Sequence, residues 1–124
     1  PAKARVRALA TAGAFHTRYM ASALEGYAQA VETTGTSEPT TTLLSNADGQ
    51  AVTSAEDAMT KLVAQLTRPV RWDLCNETMR QLNITAIVEF PPAGALTGIA
   101  KRELRGVATH AVKTPADLDG LTEL

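Results

Sequence analysis

The two histidines of the sequence are its best candidates for acid–base chemistry. His16 comes directly after an apolar segment and opens a predicted helix, a place from which a side chain can project into a crevice. Histidine is the commonest general base because its pKa lies near neutrality, but capping and core roles are more frequent. His110 lies inside a predicted strand, and we assign it no role. Position alone therefore leaves His16 open to a catalytic or a structural interpretation.

Other reactive patterns are weak or missing from the sequence. Cys75 is the only cysteine and stands on the inner face of a predicted helix, which is more typical of a core residue than of a nucleophile. It cannot form an internal disulfide, and this favours a reducing, cytoplasmic setting. No Cys-x-x-Cys or His-x-x-x-His spacing occurs, so no metal site is predicted. The Gly-x-Ser-x-Gly nucleophile elbow and a Gly-rich phosphate loop are also absent.

The composition is that of an ordinary globular domain. The chain has 124 residues, of which 44% are hydrophobic and 20% charged, enough to build a core. A formal net charge of −1 gives no attraction to nucleic acid or to an anionic membrane. No apolar run approaches the roughly 20 residues that a membrane span needs.

The elements around His16 are a strand before it and a helix after it. Residues 4–15 alternate as a strand does, and Thr17 is placed to cap the helix. One apolar face recurs along that helix at intervals of three and four residues, formed by Met20, Leu24, Tyr27 and Val31. The chain starts at Pro1 without an initiator methionine and enters the strand at once, so we interpret it as a fragment of a longer protein.

The rest of the chain alternates between strands and helices. A loop over 33–42 leads to a short strand over 41–45, and the residues after it have turn chemistry, with Gly49 able to adopt a positive φ. A second helix is predicted from Ser54, which would be its N-cap, to the residue before Pro69, which cannot continue a helix. Three more helices are predicted over 72–82, over 94–104 and after Thr114-Pro115, where proline is favoured in the first turn. Strands are predicted over 84–90 and 107–112.

This alternation predicts an α/β fold built on a parallel or mixed sheet. So few strands suggest that the sheet continues outside this sequence. We therefore expect bare apolar surface and self-association if the fragment folds alone.

Three segments in order resemble the malonyl-CoA:acyl-carrier-protein transacylase family of acyltransferases. They are Gly-Ala-Phe-His-Thr at 13–17, Gln-Leu-Thr-Arg-Pro-Val-Arg-Trp at 65–72, and Val-Glu-Phe-Pro-Pro-Ala-Gly-Ala-Leu-Thr-Gly-Ile at 88–99. The resemblance spans essentially the whole chain and implies the C-terminal part of the acyltransferase fold. Residues 1–16 would end the small ferredoxin-like subdomain that carries the catalytic histidine, and 17–124 would belong to the large α/β subdomain.

The resemblance implies transfer of malonyl from malonyl-CoA to the phosphopantetheine thiol of acyl carrier protein, in fatty acid biosynthesis. His16 would be the general base for a serine nucleophile, with an acyl-serine intermediate and no cofactor. A backbone carbonyl, at the position of Gln65, would orient the imidazole in place of an aspartate. The family's serine and its malonyl-binding arginine lie upstream of this segment, so the fragment alone should be inactive.

Phe15 would contribute to selectivity. In related acyltransferases an aromatic residue directly before the histidine accompanies malonyl, because its volume fills the space of an α-methyl branch. A plain core role for Phe15 stays open. We do not assign the missing arginine's role to Arg18, although it is close in sequence. The loop at 91–94, Pro-Pro-Ala-Gly, departs from the family's Gly-Pro-Gly.

Two other interpretations remain. The chain could be the equivalent segment of a polyketide-synthase acyltransferase domain, or a non-catalytic α/β interaction domain that kept the fold and lost the chemistry. An upstream serine elbow and an arginine after it would indicate an enzyme.

Overall fold

The computed structural model describes Val6 and residues 12–124, apart from the side chain of Glu123. The chain divides into two compact units, one combining Pro1–Thr41 with Val52–Val70 and the other Thr42–Ala51 with Arg71–Leu124. The predicted strand over 4–15 falls mostly outside the described residues, and its described end, 12–15, is irregular. The predicted subdomain boundary after residue 16 stays a prediction.

In the first unit, the helix after His16 begins at Thr17, as predicted. The Thr17 hydroxyl oxygen accepts a hydrogen bond from the backbone N–H of Tyr19. The first turns form a 3₁₀ helix, Arg18–Ala23, and the α-helix proper, α1, covers Leu24–Glu32.

The second helix of this unit, α2, covers Ala55–Gln65. Its predicted N-cap is confirmed, because the Ser54 hydroxyl accepts from the backbone N–H of Asp57 at 3.0 Å. The carboxylate of Glu38 accepts from the N–H of Ala55 at 2.9 Å, so the loop before α2 satisfies another free donor of its first turn.

In the second unit, the prediction of a strand over 41–45 is wrong. Only an isolated antiparallel bridge between Leu44 and Ala51 is present, closed by the tight turn between them. Gly49 has the positive φ expected of it, 71°. A Cβ there would lie 2.5 Å from the backbone carbon of Leu74, so the turn also needs glycine to pack on the next helix.

That helix, α3, covers Trp72–Gln81 and is followed by a β–α–β unit. The strands are β1, Ala86–Glu89, and β2, Ala108–Ala111, with the helix α4, Ala95–Glu103, between them. The two strands pair in parallel, Ala86 opposite Ala108 and Glu89 opposite Ala111, which confirms the parallel α/β prediction. Both strands are shorter than predicted. A 3₁₀ helix, Pro115–Glu123, ends the chain.

Glu89, at the end of β1, fixes the start of α4. Its side chain is 7% exposed and accepts hydrogen bonds from the backbone N–H groups of Gly94, Leu96 and Thr97, at 2.8 to 2.9 Å. Burial raises the pKa of this carboxyl, but the three N–H groups outweigh it and lower the pKa to about 2. A carboxylate thus caps a helix that has no side-chain cap at Gly94.

Few large side chains are fully buried in the described residues. The buried hydrophobic residues are Cys75, Ala100, Leu104 and Val112. Phe90 is 63% exposed and Leu82 55% exposed, which is the kind of apolar exposure the sequence predicts. Self-association itself stays a prediction. None of the described helices is long and apolar enough to cross a membrane.

Candidate active site

His16 is held to the end of α2 by its main chain. It has a φ of 63°, in the left-handed region that histidine enters more readily than most residues. Its backbone N–H donates to the carbonyl of Leu66 at 3.1 Å. This bond anchors an uncommon conformation that costs about 1–3 kcal/mol in most residues, a cost found often at functional sites.

The imidazole makes a second bond to the same helix end. Nδ1 of His16 lies 2.8 Å from the carbonyl oxygen of Gln65. A carbonyl can only accept, so Nδ1 must carry a proton. In the neutral ring Nε2 is then unprotonated and free to accept a proton, as a general base requires.

The carbonyl of Gln65 is available because of Pro69. In a continuing helix that oxygen would accept from the N–H four residues later, but proline has none. Among the residues that the structure describes, its one backbone donor is the N–H of Arg68, at 3.3 Å. A lone pair of the carbonyl therefore remains for His16.

The end of α2 also supplies favourable electrostatics. A helix C-terminus carries partial negative charge from its unpaired carbonyls, which stabilises a cation placed there. The last turn of α2 contains no basic residue, so His16 meets these carbonyls without a neighbouring cation from that turn. The imidazole of His16 is thus placed against the carbonyls of a helix end.

The side chain of Gln65 is buried, although its position on a helix would also have been compatible with a surface residue. It is 8% exposed, and its Nε2 donates to the carbonyls of Arg68 and Pro69, both at 2.8 Å. Sequence reasoning missed this contact. The sequence feature that could have predicted it is a glutamine four residues before Pro69, because the last carbonyls of a helix need hydrogen-bond donors.

Phe15 and Arg18, the neighbours of His16, differ in their surroundings. Phe15 is 52% exposed. Its ring packs against Gly13, where a Cβ would lie 3.0 Å from the ring, so a larger residue at 13 would crowd it. Arg18 donates to the hydroxyl of Tyr19 at 3.1 Å and lies over its ring. The structure thus gives Arg18 a local partner.

The other two candidates have structural surroundings. Nε2 of His110, in β2, lies 2.6 Å from the carbonyl of Asp117, in the last 3₁₀ helix, so this ring links the two elements by a hydrogen bond. Cys75 is 1% exposed, and burial raises the pKa of its thiol, as do the nearby carboxylates of Asp48 and Asp73. Among the described residues, no three His, Cys, Asp or Glu side chains group as metal ligands would.

Comparison with known proteins gives relatives along the whole chain, although no family model matches the sequence. The malonyl CoA-acyl carrier protein transacylase of Mycolicibacterium smegmatis is 70% identical over 128 residues, covering 100% of this chain and 44% of that protein. The protein of the same name from Mycobacterium tuberculosis is 67% identical and is covered to 41%. The chain thus spans about two fifths of the length of these relatives.

Solved structures agree in fold. The crystal structure of MCAT from Mycobacterium tuberculosis superposes with a TM-score of 0.89 at 68% identity, over 98% of this chain and 40% of that one. A malonyl-transacylase in complex with its type II PKS acyl-carrier protein gives 0.84 at 30% identity, over 93% and 37%. In sequence and in α/β fold, this chain is therefore similar over its whole length to one segment of malonyl CoA-acyl carrier protein transacylases.

Proposed function

We propose that this chain supplies the general base of a malonyl transfer from malonyl-CoA to acyl carrier protein, in fatty acid biosynthesis. The relatives carry this reaction in their names. The observation that supports it most directly is the bond between Nδ1 of His16 and the carbonyl of Gln65, which leaves Nε2 as an acceptor.

In the first half-reaction, Nε2 of His16 takes the proton of a serine hydroxyl while its oxygen attacks the thioester carbonyl carbon. The carbon–sulfur bond breaks, and the coenzyme A thiolate takes the proton back from Nε2. In the second, Nε2 takes the proton of the carrier thiol, whose sulfur attacks the acyl-serine ester. Serine leaves as an alkoxide and regains the proton. No cofactor enters the balance, and we place the reaction in the cytoplasm.

The serine and the arginine for the malonyl carboxylate are supplied by the part of the family fold that this segment does not match. Residues 1–16 would close the small subdomain and carry His16 to the interface, while 17–124 would belong to the large one. The segment alone is then inactive, and Phe15, next to the base, limits the space beside the acyl group.

A chimera tests the proposal. This chain replaces the matching segment of the Mycolicibacterium smegmatis transacylase, to which it is 70% identical. The chimera is exposed briefly to malonyl-CoA and its intact mass is measured, then measured again after addition of phosphopantetheinylated carrier protein. The isolated chain is the matched control.

One malonyl adduct on the chimera, lost to the carrier protein, is the expected result, with no adduct on the isolated chain. A folded chimera that forms no adduct would contradict the proposal and favour a non-catalytic interaction domain.

A further inference from the structure

The amide of Gln65 uses both of its donors on one short turn. Nε2 lies 2.8 Å from the carbonyl of Arg68 and 2.8 Å from that of Pro69. The side chain is 8% exposed, so these bonds are shielded from competing water. A buried amide with both N–H groups paired is costly to disturb, because loss of the acceptors leaves unsatisfied donors.

The turn that the amide spans has only weak bonds of its own. Backbone N–H groups of Leu66, Thr67 and Arg68 donate to carbonyls three residues earlier, at 3.2 to 3.3 Å. Such 3₁₀-type bonds are poorer in geometry than α-helical ones. Pro69 contributes no donor at all. The direction of the last carbonyls of α2 therefore depends on what holds residues 66–69.

We propose that the side chain of Gln65 is a positioning residue for His16. By holding the turn through Arg68 and Pro69, it keeps the backbone carbonyl of the same residue directed at Nδ1 of His16. The amide thereby selects the tautomer in which Nε2 is unprotonated. The inference deepens the proposed function, since it explains how a base with no aspartate partner is oriented.

The tautomer of His16 can be read without any activity. In the chain labelled with ¹⁵N-histidine, long-range ¹H–¹⁵N spectra distinguish a protonated Nδ1 from a protonated Nε2. His110 is an internal reference, because its Nε2 bonds to the carbonyl of Asp117 and it should show the opposite tautomer.

Two variants remove the amide donors in different ways. Gln65→Glu keeps the shape and places carboxylate oxygens against the two carbonyls, while Gln65→Met removes the donors without repulsion. Gln29→Glu, on the exposed side of α1, makes the same chemical change away from the turn. We expect the ratio of Nδ1–H to Nε2–H in His16 to fall at least about threefold in both Gln65 variants, the scale of one net hydrogen bond. Gln29→Glu and the His110 signals should not change.

A folded Gln65→Met chain with the wild-type His16 tautomer would overturn the inference. Wild-type protein offers a second test that needs no variant to fold: the side-chain N–H₂ of Gln65 should exchange with solvent at least about tenfold more slowly than that of Gln29. Equal exchange would also overturn it.

The two proposals fail separately. A tautomer that responds to Gln65 in a chain whose chimera transfers no malonyl would refute the function alone. An active chimera, together with a His16 tautomer ratio that does not change in the Gln65 variants, would refute the positioning role alone.

Discussion

Nδ1 of His16 lies 2.8 Å from the carbonyl oxygen of Gln65, whereas in His110 it is Nε2 that meets a carbonyl, that of Asp117 at 2.6 Å. The two histidines are thus held in opposite tautomers by the same kind of acceptor. In His16 the bare nitrogen is Nε2, at the far end of the ring from α2. In His110 it is Nδ1. The same residue type therefore leaves Nε2 unprotonated in one place and Nδ1 in the other.

Replacing His16 should slow acyl-enzyme formation. In the chimera, His16→Ala should lower the rate of malonyl adduct formation at least ~100-fold, the usual contribution of a positioned base. Rapid-quench mass measurement gives that rate. His110→Gln, which keeps a donor for Asp117, is the control and should react as the parent chimera does. An unchanged rate in His16→Ala would remove this histidine from the mechanism.

Phe15 should set the preference for an unbranched acyl group. Phe15→Ser frees the volume that an α-methyl branch would occupy, and one methyl in a pocket is worth about 1–3 kcal/mol, or about 10- to 200-fold. The ratio of kcat/KM for malonyl-CoA over methylmalonyl-CoA should fall by that order in the chimera. Phe90→Ser changes another exposed phenylalanine, 63% exposed against 52% for Phe15, and should leave the ratio unchanged. If both variants lower it equally, Phe15 has no special place.

Glu89 should make stability fall in acid. Its pKa is about 2 in the folded chain against a usual 4.5, so folding favours the charged form. That stabilisation is complete above about pH 4.5 and is lost as pH falls from 4.5 towards 2. Urea unfolding followed by the fluorescence of Trp72, the only tryptophan, gives the stability at each pH.

Glu89→Gln should lower the urea midpoint at pH 7 and flatten its decline below pH 4.5. Glu103→Gln, at the other end of α4, is the matched control, because no side-chain hydrogen bond or ion pair of Glu103 appears in the described structure. The same acid decline in Glu89→Gln as in the wild type would show that the cap does not link folding to pH.

Gly49→Ala should destabilise the second unit. The left-handed φ of 71° alone costs about 1–3 kcal/mol for alanine, and the new Cβ would meet the backbone of Leu74 at 2.5 Å. Gly98→Ala is the control, because its Cβ would meet nothing within 4 Å inside α4. It should stabilise by about 0.5–1 kcal/mol. Urea midpoints of the two variants that shift in the same direction would contradict this account.

The sequence predicts helices better than strands in this chain. Thr17, Ser54 and Thr114 each mark a helix start correctly, because capping is chemistry between residues two or three apart. The segment 41–45 fails as a strand, since a strand needs a partner, and only Leu44 finds one, in Ala51. Strand pairing depends on distant residues that local pattern does not contain.

The candidate site divides in the same way. The resemblance points to His16 and to the position of Gln65, but the tautomer of His16 depends on a contact across 49 residues of chain. The buried amide of Gln65 bonds only three and four residues onward, so its contacts are local. Glu89 was passed over as well. The N–H groups that donate to it lie five to eight residues onward, beyond a loop whose path the sequence does not specify.

The chain passes between its two units three times, after Thr41, after Ala51 and after Val70. A single break in the gene therefore cannot give two products that each hold one whole unit and nothing else. Recombination at any one point within the chain divides at least one of the two units. The segment that carries His16 and the β–α–β unit should accordingly be inherited as one block, even though each unit is compact by itself.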